Sequence, residues 1–487
     1  MKKKINFLLF FLIFFSLYSQ EEEITFEKKL NISSETKGEY WFWTKKDTAF
    51  KLSDHFEGKF RFLINYEQLY LRGGIFLYQP SLPKKPLREY YYNFEYSNPK
   101  VEFLLGNFYQ TFGRGLTFRS YLNEDFRYDK VLFGAKAVFH ILKSDITLFA
   151  GKMKSIIFQE NRYQYENDTT DQLRGGEIII YPFPFLEIGG RYVRLNKEKD
   201  ITPQAFTEIF GPNFSFAYKF FDLYYEFCRK LSTREVIGGR KKGTGHYLAI
   251  SFTFTGFGLT LEGMKYDSID FGGEGYRYND PPIPIKEGIS INRGRDEKGF
   301  GISLNFTPFD FLNYDGSYGY LQNYKKEKFI QELINKINLK KNEDINNTFT
   351  FEYHQKKGVE IKVDLSRELK FVNETKLSFN DHTFGLEIPL SFVYDDNLKY
   401  NDYGIIFEYE YNPYFIFTIG YQKTTQKVAK YDFEDKWLLV EGTFFITQNI
   451  IWRIRIGKER GGLVCFGGVC RYEAPFSGIK TSLQIRL

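Results

Sequence analysis

Acid–base or metal chemistry would fall first to the histidines, and the chain has 5 of them: His55, His140, His246, His354 and His382. They are scattered, with no pair at a spacing that converges on one metal ion. Ser251 follows His246 at i+5, which on a strand turns the two side chains to opposite faces and argues against a Ser–His nucleophile. The run Gly238-Gly-Arg-Lys-Lys-Gly-Thr-Gly245 has the glycines of a phosphate loop but lacks the Gly-Lys-Ser/Thr order and a following helix. It reads as a solvated loop tip. The sequence therefore assigns no catalytic, cofactor-binding or metal-ligating residue, and no cofactor is expected. Cys465 and Cys470 flank Phe-Gly-Gly-Val, where the glycines permit a tight reversal; in an exported chain they are expected to form a disulfide. Two cysteines are too few for a structural metal site, which takes about four ligands. Cys228 is left over, expected as a buried or lipid-facing free thiol.

A second kind of chemistry is electrostatic. Phe108–Lys130 carries Arg114, Arg119 and Arg127 together with Glu124, Asp125 and Asp129. Folded inward, this segment would place a mixed-charge constriction inside a pore, as rings of charge do in selective channels. The alternative is that it merely continues two strands above the membrane and pins their register.

The elements that must carry these residues alternate with period two. Phe300, Ile302, Leu304 and Phe306 share one face of a segment whose other face is Gly301, Ser303 and Asn305. In Val359–Ser366 the polar side is fully charged, with Glu360, Lys362 and Asp364 expected to face a wet lumen, and Arg453 and Arg455 do the same against Trp452, Ile454 and Ile456. Such segments are β-strands with one apolar and one wet face. Many run about 9–11 residues, the length of a tilted membrane strand. Short and long links alternate along the chain: Asn412-Pro413 is tight and Lys423–Asp435 long, Thr255–Phe257 tight and Asp267–Glu297 long, Leu142–Ser144 tight and Phe108–Lys130 long. Lys356–Gly358 reads as a further tight turn, Asn323–Asn347 as a long outside loop, and Glu368–Asn373 as an unusually short outside link. A soluble sandwich has no reason to keep its long loops on alternate links; an outer-membrane barrel does. The expected fold is all-β, a transmembrane antiparallel β-barrel of twenty-two to twenty-four strands, twenty-four by direct reading.

Composition agrees. Apolar residues make up 43% and exclude a disordered chain, and aromatics reach 20%, which suits strands with interfacial girdles. Tyr90–Tyr92, Tyr224-Tyr225 and Tyr409/Tyr411/Tyr414 are read as girdle residues. A net charge of +6 from 67 basic and 61 acidic residues excludes a dedicated nucleic-acid surface. Lys2–Lys4 followed by the apolar run Ile5–Leu17 has the form of a signal peptide cleaved near Ser19 or Gln20. The expected layout is a leader at 1–19, a short periplasmic segment at 20–34 and a barrel at 35–487. Gly478–Leu487 has Ile479, Leu483, Ile485 and Leu487 on one face, and resembles the closing strand that targets barrels to their insertion machinery.

The stretch Gly106-Asn-Phe-Tyr-Gln-Thr-Phe112-Gly-Arg-Gly-Leu116-Thr-Phe-Arg-Ser-Tyr121 resembles the signature of an uncharacterised family of Gram-negative outer-membrane proteins. Asn279-Asp-Pro-Pro282 and Asp296–Phe300 are similar to that family's second marker, and Arg460–Pro475 is similar to an ending shared with some TonB-dependent barrels. The resemblance implies an envelope barrel and carries no activity with it. Expected partners are outer-membrane lipid, the barrel-assembly machinery during insertion, and small solutes. The expected role is a channel or solute-binding protein of unknown substrate; a non-conducting structural or surface-binding protein is the alternative, and an embedded hydrolase is the least favoured.

Overall fold

Alternation in the sequence becomes alternation in space. The computed structural model describes residues 30–487 except 44–53, 82–84, 125, 160–161, 166–168, 197–204, 234–240, 274–275, 287, 293, 343, 361–362, 397, 427–434, 467–468 and 474. The leader expected at 1–19 thus lies outside the described residues.

The wall opens with β1 (Leu30–Trp43), β2 (His55–Tyr66), β3 (Leu69–Gln79), β4 (Leu87–Ser97), β5 (Val101–Phe108) and β6 (Tyr128–Ile141). It continues with β7 (Ser144–Gln159), β8 (Gln172–Phe183), β9 (Leu186–Asn196), β10 (Phe206–Tyr218), β11 (Phe221–Ser232) and β12 (Lys242–Phe254). Next come β13 (Phe257–Asp267), β14 (Asp296–Phe309), β15 (Leu312–Gln322), β16 (Phe329–Lys341), β17 (Ile345–Glu360) and β18 (Val363–Phe379). The last are β19 (His382–Asp395), β20 (Leu398–Tyr411), β21 (Phe415–Thr424), β22 (Lys436–Thr447), β23 (Ile450–Glu459) and β24 (Phe476–Arg486). Each strand pairs antiparallel with the next, and β1 also pairs with β24, Glu35 opposite Arg486 and Trp43 opposite Gly478, so the sheet closes. A closed ring of twenty-four strands leaves no edge to template aggregation. β1 starts at Leu30, ahead of the barrel boundary expected at residue 35.

Tight turns and longer links alternate around most of the ring, but the links from β17 to β18 and from β19 to β20 are only two residues each; Leu30 of β1 and Arg486 of β24 lie at the tight-turn end. Three readings of the links need correction. Phe329–Lys341, taken as loop, is strand β16; Lys356–Gly358, taken as a turn, lies within β17, where the register slips between Lys357 and Glu360; Glu368–Asn373 lies within β18. In a water-lined barrel every second residue can be polar, so Lys336, Asn338 and Lys340 on the lumenal face of β16 mimic a loop while Phe329, Leu333, Ile337 and Leu339 keep strand periodicity on the outer face. Val359–Ser366, taken as one strand, straddles the link between β17 and β18, with Glu360 paired to Val363.

Burial is inverted relative to a soluble protein. Phe300, Ile302 and Phe306 are each at least 40% exposed, while Glu226, Glu297 and Glu332 are buried. Facing water, each such apolar side chain would forfeit about 1.5–3 kcal/mol of burial; a belt of them fits only a hydrocarbon surround. The interior identifies itself through packing. Leu104 on β5, Val193 on β9, Ala249 on β12 and Ile330 on β16 join one cluster with Phe112, Leu116 and Phe118, and with Phe271, Tyr278 and Ile285. The buried side chains of the two links pack on this run of lumenal side chains. Two links therefore fold inward, residues 109–127 between β5 and β6 and residues 268–295 between β13 and β14. Cross-strand register carries the lumenal face onward from Ile334 through Glu352, Lys370, Ser391 and Asp402 to Thr424. From Thr418 it runs through Glu441, Arg455 and Lys480 to Trp41.

Candidate functional site

The inward segment 109–127 begins with a small ribbon in which Thr111 and Phe112 pair with Arg119 and Phe118. Its tip needs glycine twice. Gly113 has φ 53° and a Cβ there would stand 2.0 Å from Nη1 of Arg191; Gly115 has φ 94° and a Cβ would meet the Asp280 carbonyl at 2.7 Å. Between them the Arg114 amide donates to Glu226 Oε2 at 3.1 Å, its guanidinium lies 4.4 Å from the Tyr224 ring centroid, and Nη1 donates to the Tyr247 hydroxyl at 3.1 Å. Glu226 is itself ion-paired with Arg191 at 2.7 Å, and Arg191 reaches Glu177 at 2.5 Å. Their side chains are almost wholly withdrawn from solvent. A buried ion group of this kind costs desolvation, and removing one member leaves an uncompensated charge.

Arg119 Nη1 meets Asp280 Oδ2 at 3.3 Å, and its amide donates to the Tyr278 carbonyl at 3.0 Å. Asn279 Nδ2 donates to the Leu116 carbonyl at 3.0 Å and the Asp280 amide to the Gly115 carbonyl at 2.9 Å. The two segments singled out in the sequence, around Gly113 and around Asn279, are thus halves of one lumenal structure. Glu297 of the second marker secures the returning end, accepting from Ser290 Oγ at 2.9 Å and the Ile291 amide at 3.0 Å.

The far end of segment 109–127 reaches a different wall. Glu124 bonds Arg61 of β2 and lies 3.9 Å from Lys59. Burial works against its ionisation, but Lys59 and Arg61 outweigh it and hold the carboxyl below its usual range. Arg127 Nη2 meets Glu39 of β1 at 2.9 Å, its Nε lies 3.7 Å from Glu57 of β2, and its guanidinium stands 4.8 Å from the Trp41 ring centroid. Asp129, on β6, is buried and accepts from the hydroxyls of Tyr91 at 2.6 Å and Tyr109 at 2.9 Å. Burial, reinforced by Asp129, pushes the Tyr109 phenol well above its usual value. Asp125 lies outside the described residues. The segment consequently crosses from β9–β12 to β1–β2, nearly half the ring.

The remaining wall is polar. Arg455 bonds Glu441 and meets Glu459 at 2.7 Å, Arg453 lies 3.5 Å from Glu441, and Lys370 lies 3.3 Å from Glu352. These lumenal side chains stay partly exposed, Arg453 to 54%. Ile361 and Lys362, and the side chains of Glu360 and Asp364, are outside the described residues. A two-stranded ribbon, Gly462–Phe466 with Val469–Glu473, sets Cys465 directly opposite Cys470 and comes against β7. Cys228 is a free cysteine buried in the lumenal cluster. Tyr224 needs correction: it is buried beside Arg114 inside the barrel, whereas Tyr225 bonds His246 Nδ1 at 2.8 Å on the outer face. Among the described residues no group of three or more His, Cys, Asp or Glu is placed to hold a metal ion. Sequence reasoning missed Arg191, Glu177 and Glu226, whose charged types on lumenal strands carry no local signal of burial.

The fold has parallels. The chain resembles a chain of the E. coli P pilus tip assembly intermediate PapC-PapD-PapK-PapG in its second conformation, with TM-score 0.54 and 9% identity over 93% of this chain and 60% of that one. It is similar to the P pilus usher PapC translocation pore, with TM-score 0.46 and 9% identity over 94% and 99% of the two chains. The siderophore receptor PirA from Acinetobacter baumannii follows at TM-score 0.45 and 8% identity, over 94% and 80%. No curated protein sequence matches. A family of unknown function, DUF6029, matches residues 1–283 and 288–487, and the chain belongs to that family.

Proposed function

We propose that this chain is an outer-membrane channel that passes small polar solutes through the part of its lumen left free by the two inward segments. The observation that carries this reading is the unequal lining of the lumen. One sector is filled by segments 109–127 and 268–295, while the face of β17–β24 keeps exposed ion pairs such as Lys370–Glu352 and Arg455–Glu459. Twenty-four strands enclose a wide interior that must hold water or protein, and here it holds both kinds of surface. An apolar exterior on a closed barrel suits an outer membrane, with export through an N-terminal leader and insertion by the barrel-assembly machinery. Charges of both signs along the free face favour weak selectivity by sign and discrimination by size. Under this reading the protein has no enzymatic role.

Segment 109–127 acts as the constriction. Arg114 serves as an anchor rather than a mobile charge, and Arg119 and Glu124 border the water-filled side. Single-channel recording of the refolded protein in a planar bilayer tests the proposal. Steady conductance is expected, and Arg114→Ala with Arg119→Ala should raise it by releasing the segment. A wild-type protein that inserts but never conducts would sink the channel in favour of a non-conducting binding role. Conductance and selectivity unchanged in the double variant would remove the constriction.

A further inference from the structure

Where β1 meets β2, the lumenal face sets like charges against each other. Lys37 stands directly opposite Lys59, and Glu39 directly opposite Glu57. Like charges in directly opposed positions destabilise a sheet, so each pair calls for a counter-charge. For the glutamates the inward segment supplies it: Arg127 lies 2.9 Å from Glu39 and 3.7 Å from Glu57. For the lysines the supply is incomplete. Lys59 has Glu57 at 3.2 Å and Glu124 at 3.9 Å, whereas Lys37 has no ion pair within 4.0 Å among the described residues.

The neighbouring carboxylates are committed elsewhere. Glu35 accepts from Gln484 Nε2 at 2.7 Å and Arg486 Nε at 3.2 Å and lies 3.7 Å from Arg61, while Glu124 is bonded to Arg61. These groups line one cavity of about 340 Å³. It holds four cations, Lys37, Lys59, Arg61 and Arg486, against two carboxylates, Glu35 and Glu124. Arg61 and Arg486 are 46% and 61% exposed, so their remaining N–H donors are available from the lumen.

We infer that this cavity is a binding site for a small oxyanion, a carboxylate or phosphate group, that completes the charge balance of the Lys37–Lys59 pair. A planar guanidinium matches two oxygens of such a group, and an ammonium adds a point charge beside it. The ligand does for the lysines what Arg127 does for the glutamates one step along the ladder. On the channel reading above, the site is a resting point for anionic solutes beside the constriction; the site itself does not need conduction.

Calorimetry on the intact, detergent-solubilised protein tests it, with succinate and inorganic phosphate as separate probes, alongside bilayer conductance of the same preparation. Saturable binding of one or both is expected, and which probe binds names the source. Loss of one charged partner should weaken binding about tenfold in Lys37→Gln. Lys37→Arg should retain binding, which separates loss of charge from misfolding, and Lys100→Gln in a distant turn should leave it unchanged. No saturable binding of either probe, or wild-type affinity retained in both Lys37→Gln and Lys37→Glu, would overturn the site. Conduction without binding removes the site and leaves the channel; binding without conduction does the reverse.

Discussion

Two sectors of the same ring solve the problem of a wide interior in opposite ways. On β5–β16 the lumenal face carries Leu104, Phe108, Met153, Val193 and Ala249, and chain from the inward segments packs on it like a protein core. On β17–β24 the corresponding positions carry Glu352, Lys370, Glu441 and Arg455, which pair with one another along the wall. The outer face is much the same in both, Phe103 and Leu105 on one side, Phe392 and Ile456 on the other. Lipid thus fixes one side of every strand, and the other side records what the lumen holds there. Where protein fills it, charges such as Arg191, Glu177 and Glu226 are buried and ion-paired. Where the wall pairs with itself, charges such as Lys370, Glu352, Arg455 and Glu459 stay partly exposed, and each pair is worth little.

The sharpest way to break the contrast is Arg191→Met. It strands Glu177 and Glu226 without a cation and should cost about 3–5 kcal/mol, read as a lower urea midpoint and as protease cleavage within 109–127. Stability within 1 kcal/mol of wild type would mean that the filled sector is no tighter than the open one. Reduction of a Cys465–Cys470 bond should come next in size. The bond is expected as a two-hydrogen mass difference, and because the loop it closes is short its loss should cost less than the ~3 kcal/mol of a 15-residue loop. An unreduced protein whose two thiols both react with maleimide would remove the bond. Arg453→Gln with Arg455→Gln in the open sector should lower stability by no more than about 1 kcal/mol per exposed pair while changing the reversal potential in a salt gradient. Smallest is Glu124→Gln. The Glu124 carboxyl is held below its ordinary 4.5, so its contribution is complete above that pH and fades as pH falls through the lowered value. The variant should therefore be less stable than wild type at neutral pH by no more than about 1 kcal/mol and converge with it as pH falls below about 4.5. An unaltered acid profile would show that the Arg61 contact adds nothing measurable.

Much of the wall was legible because a membrane barrel writes itself in period two. Phe300 to Phe306 and Trp452 to Ile456 show their outer faces in the sequence alone, and the long links at Phe108–Lys130 and Asp267–Glu297 stand out by length. β16 was hidden because its lumenal positions are as polar as a loop. The site was legible only in part. Arg114, Arg119, Glu124 and Arg127 announce themselves as a cluster, but their separate destinations depend on which wall each reaches. Nothing in a linear reading joins Gly115 to Asp280 or Arg114 to Glu226. The Lys37–Lys59 opposition is equally invisible, since it exists only once β1 and β2 are aligned, and a slip of one residue would abolish it.

A hoop of twenty-four strands is easily flattened, because nothing in a hydrogen-bonded ladder fixes its outline. Segment 109–127 is anchored at Glu226 and Tyr247 on one flank and at Arg61 and Glu39 on the other, so it spans the hoop as a tie rod. Cutting that rod should alter the cross-section of the whole barrel as well as the width of its bore, and a solute pressing on the rod would be felt in strands it never touches.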